Sequence, residues 1–415
     1  MSILKPFRGI RPGKEHAHKV AAPPYDVLSS AEARVMAEGN PISFLHVNKP
    51  EIDLDPSIDV HDDRVYQKGA ENLQAFIRDG VLSQDEAAYF YVYRQHMGKH
   101  VQTGLMAVAS VDEYENNLIK KHEFTRPEKE DDRVKHMDVV NAQVGPVFLT
   151  YQARPNIDSL IAELVTQEAE YDFTLPDGIR HVLWLVKDSE TIREIESAFR
   201  DIPCLYVADG HHRSAAATRV KNLRQQANSA HTGKESYNYF LAVIFPHDQM
   251  QILDYNRVVT DLNGLSEDDF LAALENKFQV TLEDKACKPA ALHQFGMYLD
   301  GQWYSLKVRD GVVDENDPVS RLDVAVLQDN VLKPILGIEN PRVDKRIDFI
   351  GGIRGMAELE KRVDNGEFIV AFSCYPTSIE HLMAIADAGE VMPPKSTWFE
   401  PKLRSGLVIH SLAEN

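Results

Sequence analysis

The run Tyr206-Val207-Ala208-Asp209-Gly210-His211-His212-Arg213 constrains this chain more than any other stretch. A short apolar run breaks at Asp-Gly, a pair that favours a turn. Ser214-Ala215-Ala216-Ala217 then opens a segment of strong helix formers. A strand, a turn and a helix in that order point free backbone amides and the positive helix end outward, which suits an anion such as phosphate. Four of the five side chains from 209 to 213 are ionisable: a carboxylate, two imidazoles and a guanidinium. The competing reading is a hydrogen-bond network satisfied within the turn itself.

A corner of this kind needs a sheet behind it. With 415 residues, 43% of them hydrophobic, the chain is long enough for two or three domains with sizeable cores. In Pro23-Pro24-Tyr25-Asp26-Val27 two prolines force an extended segment, and Ser29-Ser30 cap a helix running to about Gly39. A helix is expected at 65–78, and strands at 88–95 and 101–111 are joined by the turn Met97-Gly98-Lys99. Residues 120–133 are a densely charged polar stretch. Helices near 157–170 and 189–200 flank a strand at 181–187, and a buried strand follows at 239–245. Further on come a helix at 267–277, paired strands within 295–308, and charged residues at 309–317 that suggest a flexible join. Helices at 323–332 and 356–363, a strand at 368–373 and a helix from Ser378 complete the pattern. This alternation is that of a mixed α/β protein, α+β in detail. The expected regions are an N-terminal α/β part (1–115), a core carrying the corner (116–262) and a C-terminal α/β part (263–415).

Charge narrows the partners. Lys and Arg number 45 against 64 Asp and Glu, a net charge of −19, which repels nucleic acid and anionic membranes while leaving room for a local basic pocket. No apolar run approaches the roughly 18 residues that span a bilayer, and the start Met1-Ser2-Ile3-Leu4-Lys5-Pro6 has no signal-peptide character. Cys204, Cys287 and Cys374 form no CxxC pair, which excludes a zinc ribbon and points to reduced thiols in a cytoplasmic protein. Nothing in the sequence indicates an oligomeric state.

Candidate chemistry sits at several places. Glu123, in Lys120-Lys121-His122-Glu123, could be a general base kept ionised by cationic neighbours, or part of a solvated charge run. The loop Pro393-Pro394-Lys395-Ser396-Thr397-Trp398-Phe399 offers an ammonium and two hydroxyls for a carboxylate or phosphate, or is a proline-braced surface loop. Gly351-Gly352-Ile353-Arg354-Gly355 lacks the ending of a phosphate-binding P-loop and reads as a turn. The adjacent His211 and His212 would diverge on a helix and no HExxH is present, so no metal-ligand set is expected; a GxSxG elbow is also absent.

Taken together, three separated segments resemble one family. Asp209-Gly210-His211-His212-Arg213 is similar to the DGHHR motif of free-serine kinases in the ParB/sulfiredoxin-like superfamily, and His122-Glu123 resembles their upstream His-Glu pair. Pro394-Lys395-Ser396-Thr397 resembles their Pro-Lys-Thr-Thr loop, with order along the chain preserved. The whole chain also resembles a bacterial domain-of-unknown-function family of similar length. The kinase resemblance implies a ParB/serine-kinase-like core that phosphorylates free L-serine to O-phospho-L-serine. It implies Glu123 as the base and Asp209 as a second catalytic residue, with His211, His212, Arg213 and Ser214 at the phosphates or nucleotide. Lys395, Ser396 and Thr397 would contact the substrate. The implied cofactors are magnesium (Mg2+) and a donor that is ATP, ADP or pyrophosphate. Glu123 and Asp209 lie 86 positions apart, which implies an insertion relative to the compact kinases, and the first hundred residues have no counterpart in them. The alternative is a ParB-like nucleotide-binding regulatory or DNA-associated protein, which the acidic balance and the histidines disfavour. Sulfiredoxin-like reduction ranks lowest, because it needs a cysteine near His211 and the nearest is Cys204.

Overall fold

The computed structural model describes residues 2–413 and divides into two compact units. One comprises Met1–Met250 with Pro401–Asn415, the other Gln251–Glu400. The boundary expected after residue 262 thus falls within the second unit, and that after 115 within the first. The chain leaves the first unit once and returns to it, an arrangement with no local sequence signal.

The first unit is built on a nine-stranded mixed sheet. Across it run Ile119–Lys120, Leu205–Asp209, Val147–Tyr151, Tyr239–Pro246, His100–Ser110, Phe90–Met97, Arg180–Val186 and Tyr171–Thr174, with Leu4–Lys5 against His100–Ser110. Among the described residues two of its pairings are parallel: Leu205–Asp209 with Ile119–Lys120, and Tyr239–Pro246 with Val147–Tyr151. The core contains Leu105, Ala107, Leu149, Val207, Ala242 and Ile244 from the strands and Ala216, Ala217 and Val220 from a helix. As expected, the strands at 90–97 and 100–110 meet across Gly98, whose φ of 59° is the left-handed value a two-residue turn requires. Ser29 caps the helix Ser30–Ala37 through a full capping box with Glu32.

The charged stretch after residue 120 is not loop throughout. Pro127–Val140 is a helix, with Pro127 in its first turn, Glu128 and Glu130 at its positive end, and Asn141 closing it at φ 54°. Val134, His136, Met137 and Val140 are buried on one side. Val134 and Met137 face the helix His211–Ala227, to which Arg219 ties this helix through Glu130 (3.1 Å) and Asp131 (2.7 Å), and Arg224 through Asp138 (2.9 Å).

The second unit carries a six-stranded antiparallel sheet in the order Phe278–Glu283, Gln302–Val308, Gln294–Leu299, Val370–Ser373, Tyr255–Val259, Ile347–Gly351. Its core gathers Phe270, Phe278, Phe295, Met297, Leu327 and Phe372. The charged run 309–317 links two elements of this unit and is not a join between domains. The Gly351-Gly352 turn is close-packed: a Cβ on Gly351 would lie 2.7 Å from the Trp398 ring, and one on Gly352 would meet the Asp254 carboxylate. Both units are mixed helix and sheet, the class the sequence indicates. Among the described residues all three cysteines are free and no helix is long and apolar enough to cross a membrane.

Candidate functional site

Parallel pairing assembles the site. Leu205 pairs with Ile119 and Tyr206 with Lys120, so both strands end at the same edge of the sheet. One therefore delivers His122-Glu123 to the place where the other delivers Asp209-Gly210-His211. Carboxyl ends of strands are where open α/β sheets bind ligands. A register shift between Val207 and Asp209, opposite the Val147–Tyr151 strand, re-aims the last residue of the run.

The helix begins at His211, three residues before Ser214, with Gly210 as its N-cap at φ 102°. Only glycine is at ease there. A Cβ would also come within 3.1 Å of Arg213 Nε. Ser214 is fully buried, and its hydroxyl donates to the Gly210 carbonyl at 3.2 Å. A hydroxyl held this way braces the turn. His212 Nε2 accepts the Arg126 backbone N–H at 3.1 Å, fastening the helix start to the segment that carries Glu123.

Asp209 and Arg213 form an ion pair at 3.9 Å, and Lys402 closes on the other Asp209 oxygen at 3.0 Å. Burial alone would raise the Asp209 carboxyl. The Lys402 ammonium and the Arg213 guanidinium outweigh it and hold the carboxylate well below its usual range. Arg213 also donates to the Pro146 carbonyl, while its Nε has no partner. Lys402 comes from the returning segment, where its own carbonyl accepts a hydrogen bond from Gln95 at 3.0 Å.

His122 and His211 meet edge to face, their rings 4.4 Å apart. Both are buried, at 2% and 5% exposure. Burial pushes His122 down to about 3 and His211 to about 4, so both imidazoles are neutral at neutral pH. His122 is hydrogen-bonded to the backbone of Val207, and its Nδ1 has no partner; nor does Nε2 of His211. Donor atoms of His122, Glu123 and His211 all lie within 4.8 Å of one another. The sequence argument against a metal set weighed His211 only against His212. The companion is His122, which strand pairing supplies. Of the lysines expected around Glu123, Lys121 lies over the Tyr114 ring at 4.2 Å and Lys120 over Tyr206 at 5.9 Å.

Behind Arg213 lies a small cavity of about 30 Å³, room enough for water, lined among others by Tyr25, Asn48, Arg133, His136 and Ser405. Arg133 stacks on Tyr25 at 3.7 Å and pairs with Asp132 at 2.6 Å. The extended Pro23-Pro24-Tyr25 segment is therefore part of the corner's surroundings, which the sequence did not reveal.

In the second unit, the 393–397 loop is tied down by its own polar groups. Ser396 is buried and donates to the Pro393 carbonyl at 2.6 Å, and Thr377 donates to the Ser396 carbonyl at 2.9 Å. Buried Arg257 donates to the Lys395 carbonyl at 3.0 Å. Lys395 is exposed in a left-handed conformation (φ 57°), with its ammonium 5.6 Å from the Tyr255 ring centre. Thr397 is half-buried.

Several solved structures are similar to the chain at low identity. A variant of a free serine kinase in complex with AMP matches at 13% identity and a TM-score of 0.35, over 72% of this chain and 88% of its own. SbnI with a C-terminal truncation, from Staphylococcus aureus, matches at 11% and 0.37, over 71% and 82%. A conserved hypothetical protein from Pyrococcus furiosus matches at 13% and 0.33, over 72% and 93%. No curated protein matches in sequence. The model of the family described as protein of unknown function DUF1015 matches residues 4–325, well over half of the chain, and the chain belongs to that family.

Proposed function

We propose that the protein is a small-molecule kinase that transfers a phosphoryl group to the hydroxyl of free L-serine. The observation that carries this reading is the meeting of Glu123 with the amino end of the 211–227 helix at one sheet edge, beside Arg213 and Lys402. Phosphoryl transfer asks for positioning and charge neutralisation more than for covalent catalysis.

On this reading Glu123 takes the proton from the serine hydroxyl as its oxygen attacks the terminal phosphorus of the donor. The bond from that phosphorus to the bridging oxygen breaks, and ADP leaves from ATP, AMP from ADP, or phosphate from pyrophosphate. Arg213, Lys402 and the helix amides neutralise the phosphates, with His211 and His212 in the first helical turn. Asp209, kept ionised by the two cations, holds them in place. Substrate roles for Lys395, Ser396 and Thr397 rest on the sequence resemblance of their loop. Magnesium would enter with the donor's phosphates, and no step is assigned to it. Two imidazoles and one carboxylate do not match its preference for oxygen ligands.

The test is a donor-by-acceptor assay, with ATP, ADP and pyrophosphate against L-serine and other small alcohols. O-phospho-L-serine should form with one donor, and Glu123→Gln should lower kcat by about 10²–10⁴-fold while nucleotide still binds. Nucleotide binding without transfer from any donor would instead support the ParB-like regulatory reading.

A further inference from the structure

We propose that His122, Glu123 and His211 form a binding site for a divalent transition metal ion of the zinc, cobalt, manganese or ferrous class. Three observations point there independently of any substrate. The donors converge, with ligand atoms no more than 4.8 Å apart. Metal–ligand bonds of about 2.0–2.2 Å put donors about 3–4 Å apart around an ion, so only a slight contraction is needed. The two imidazoles are buried, and each keeps one ring nitrogen without a partner: Nδ1 of His122 and Nε2 of His211. A buried nitrogen left so is costly unless something binds it.

The third observation is the fixing of the His122 ring. Because Nδ1 is unpartnered, the hydrogen bond to the Val207 backbone belongs to Nε2, which donates its proton to that carbonyl. This tautomer leaves the Nδ1 lone pair available, and the Nε2–H contact to the Val207 carbonyl is the outer hydrogen bond that metal-bound histidines almost always make. Glu123 is only half-buried and gives the ion a way in. Two histidines and one carboxylate leave coordination positions open for water or an anionic oxygen, and imidazole nitrogen selects transition metals over magnesium. A monodentate Glu123 keeps its second oxygen.

The experiment uses the full chain, stripped with a chelator and titrated with Co2+, Zn2+, Mn2+ and Mg2+ in the absence of nucleotide. One Co2+ should bind per chain, with a visible absorption band that Zn2+ displaces. His211→Asn and Glu123→Gln should each weaken binding at least tenfold while melting like the parent. Because His122 is deeply buried, the half-exposed Glu123 provides the variant that tests the site on a folded protein. Absence of a bound ion overturns the proposal, as does equal affinity in both folded variants or binding of Mg2+ as tight as that of Zn2+. Metal binding without phosphoryl transfer would remove the kinase reading alone. Transfer with no ion bound at these residues would remove the metal site alone.

Discussion

The corner at 209–213 and the loop at 393–397 are both dense in polar groups, yet they treat those groups differently. In the loop, the Ser396 hydroxyl and the backbone carbonyls of residues 395 and 396 are bonded to neighbours of the same unit. At the corner, His122 Nδ1, His211 Nε2 and Arg213 Nε are buried without a partner. Satisfied polar groups hold a shape, whereas buried unsatisfied ones carry a cost that a ligand can remove. The difference separates a braced loop from a binding edge, and it rests on hydrogen bonds that composition does not display.

The strongest way to break the comparison is acid, because two buried histidines of the first unit and a buried carboxyl of the second titrate in opposite sense. In the first unit, burial lowers His136 and His410 to about 4, each with one ring nitrogen bonded to a backbone carbonyl. Their folded values lie below the unfolded 6.5, so their contribution is complete above about 6.5 and is lost as pH falls toward 4, on the order of 3 kcal/mol for each imidazole. In the second unit, burial raises Asp323 to about 6, against 3.8 unfolded, despite its His293 partner. That contribution is present below about 3.8 and is lost as pH rises through 6. Hydrogen exchange followed between pH 4 and 6.5 should show the first unit loosening on acidification, while Asp323→Asn flattens an opposite trend in the second. Parallel trends in both units would dissolve the contrast.

A smaller effect is expected at Gly210. Gly210→Ala forces a side chain into a φ of 102° and against Arg213, and should cost about 1–3 kcal/mol in urea unfolding. If it unfolds like the parent, the corner is softer than its geometry suggests. The smallest effect sharpens the view of the loop. Ser396→Ala removes one internal hydrogen bond and should cost about 1 kcal/mol of stability, and with the substrate role proposed for this residue it should also raise KM for the acceptor. An unchanged KM with lowered stability would confine Ser396 to bracing the loop.

Much of the local structure was legible. Asp-Gly after an apolar run marked the strand–turn–helix corner, and Ser29-Ser30 marked a capped helix. The helix at 127–140 was hidden because charged residues crowd its first half and its buried side is supplied by only a few residues, one of them a histidine. The strand Val147–Tyr151 was missed because its apolar run is short and buried throughout, so it has no alternation to read. The approach of His122 to His211 was beyond local reading altogether. It follows from a parallel pairing of Ile119–Lys120 with Leu205–Asp209, and parallel partners carry no signal in the residues between them. Lys402 and Tyr25 were out of reach for the same reason, since each arrives at the corner from a distant part of the chain.

The return of the chain to the first unit has a consequence for synthesis. Ile10 pairs with Ile409 and Ala22 with Ser405, so both wait for partners made long after them. Asp209 likewise receives Lys402 only after all of Gln251–Glu400 has left the ribosome. A nascent first unit therefore holds Asp209 with Arg213 alone until Lys402 has been made. Assembly of that corner is a late event, and it reports that the second unit has already been made.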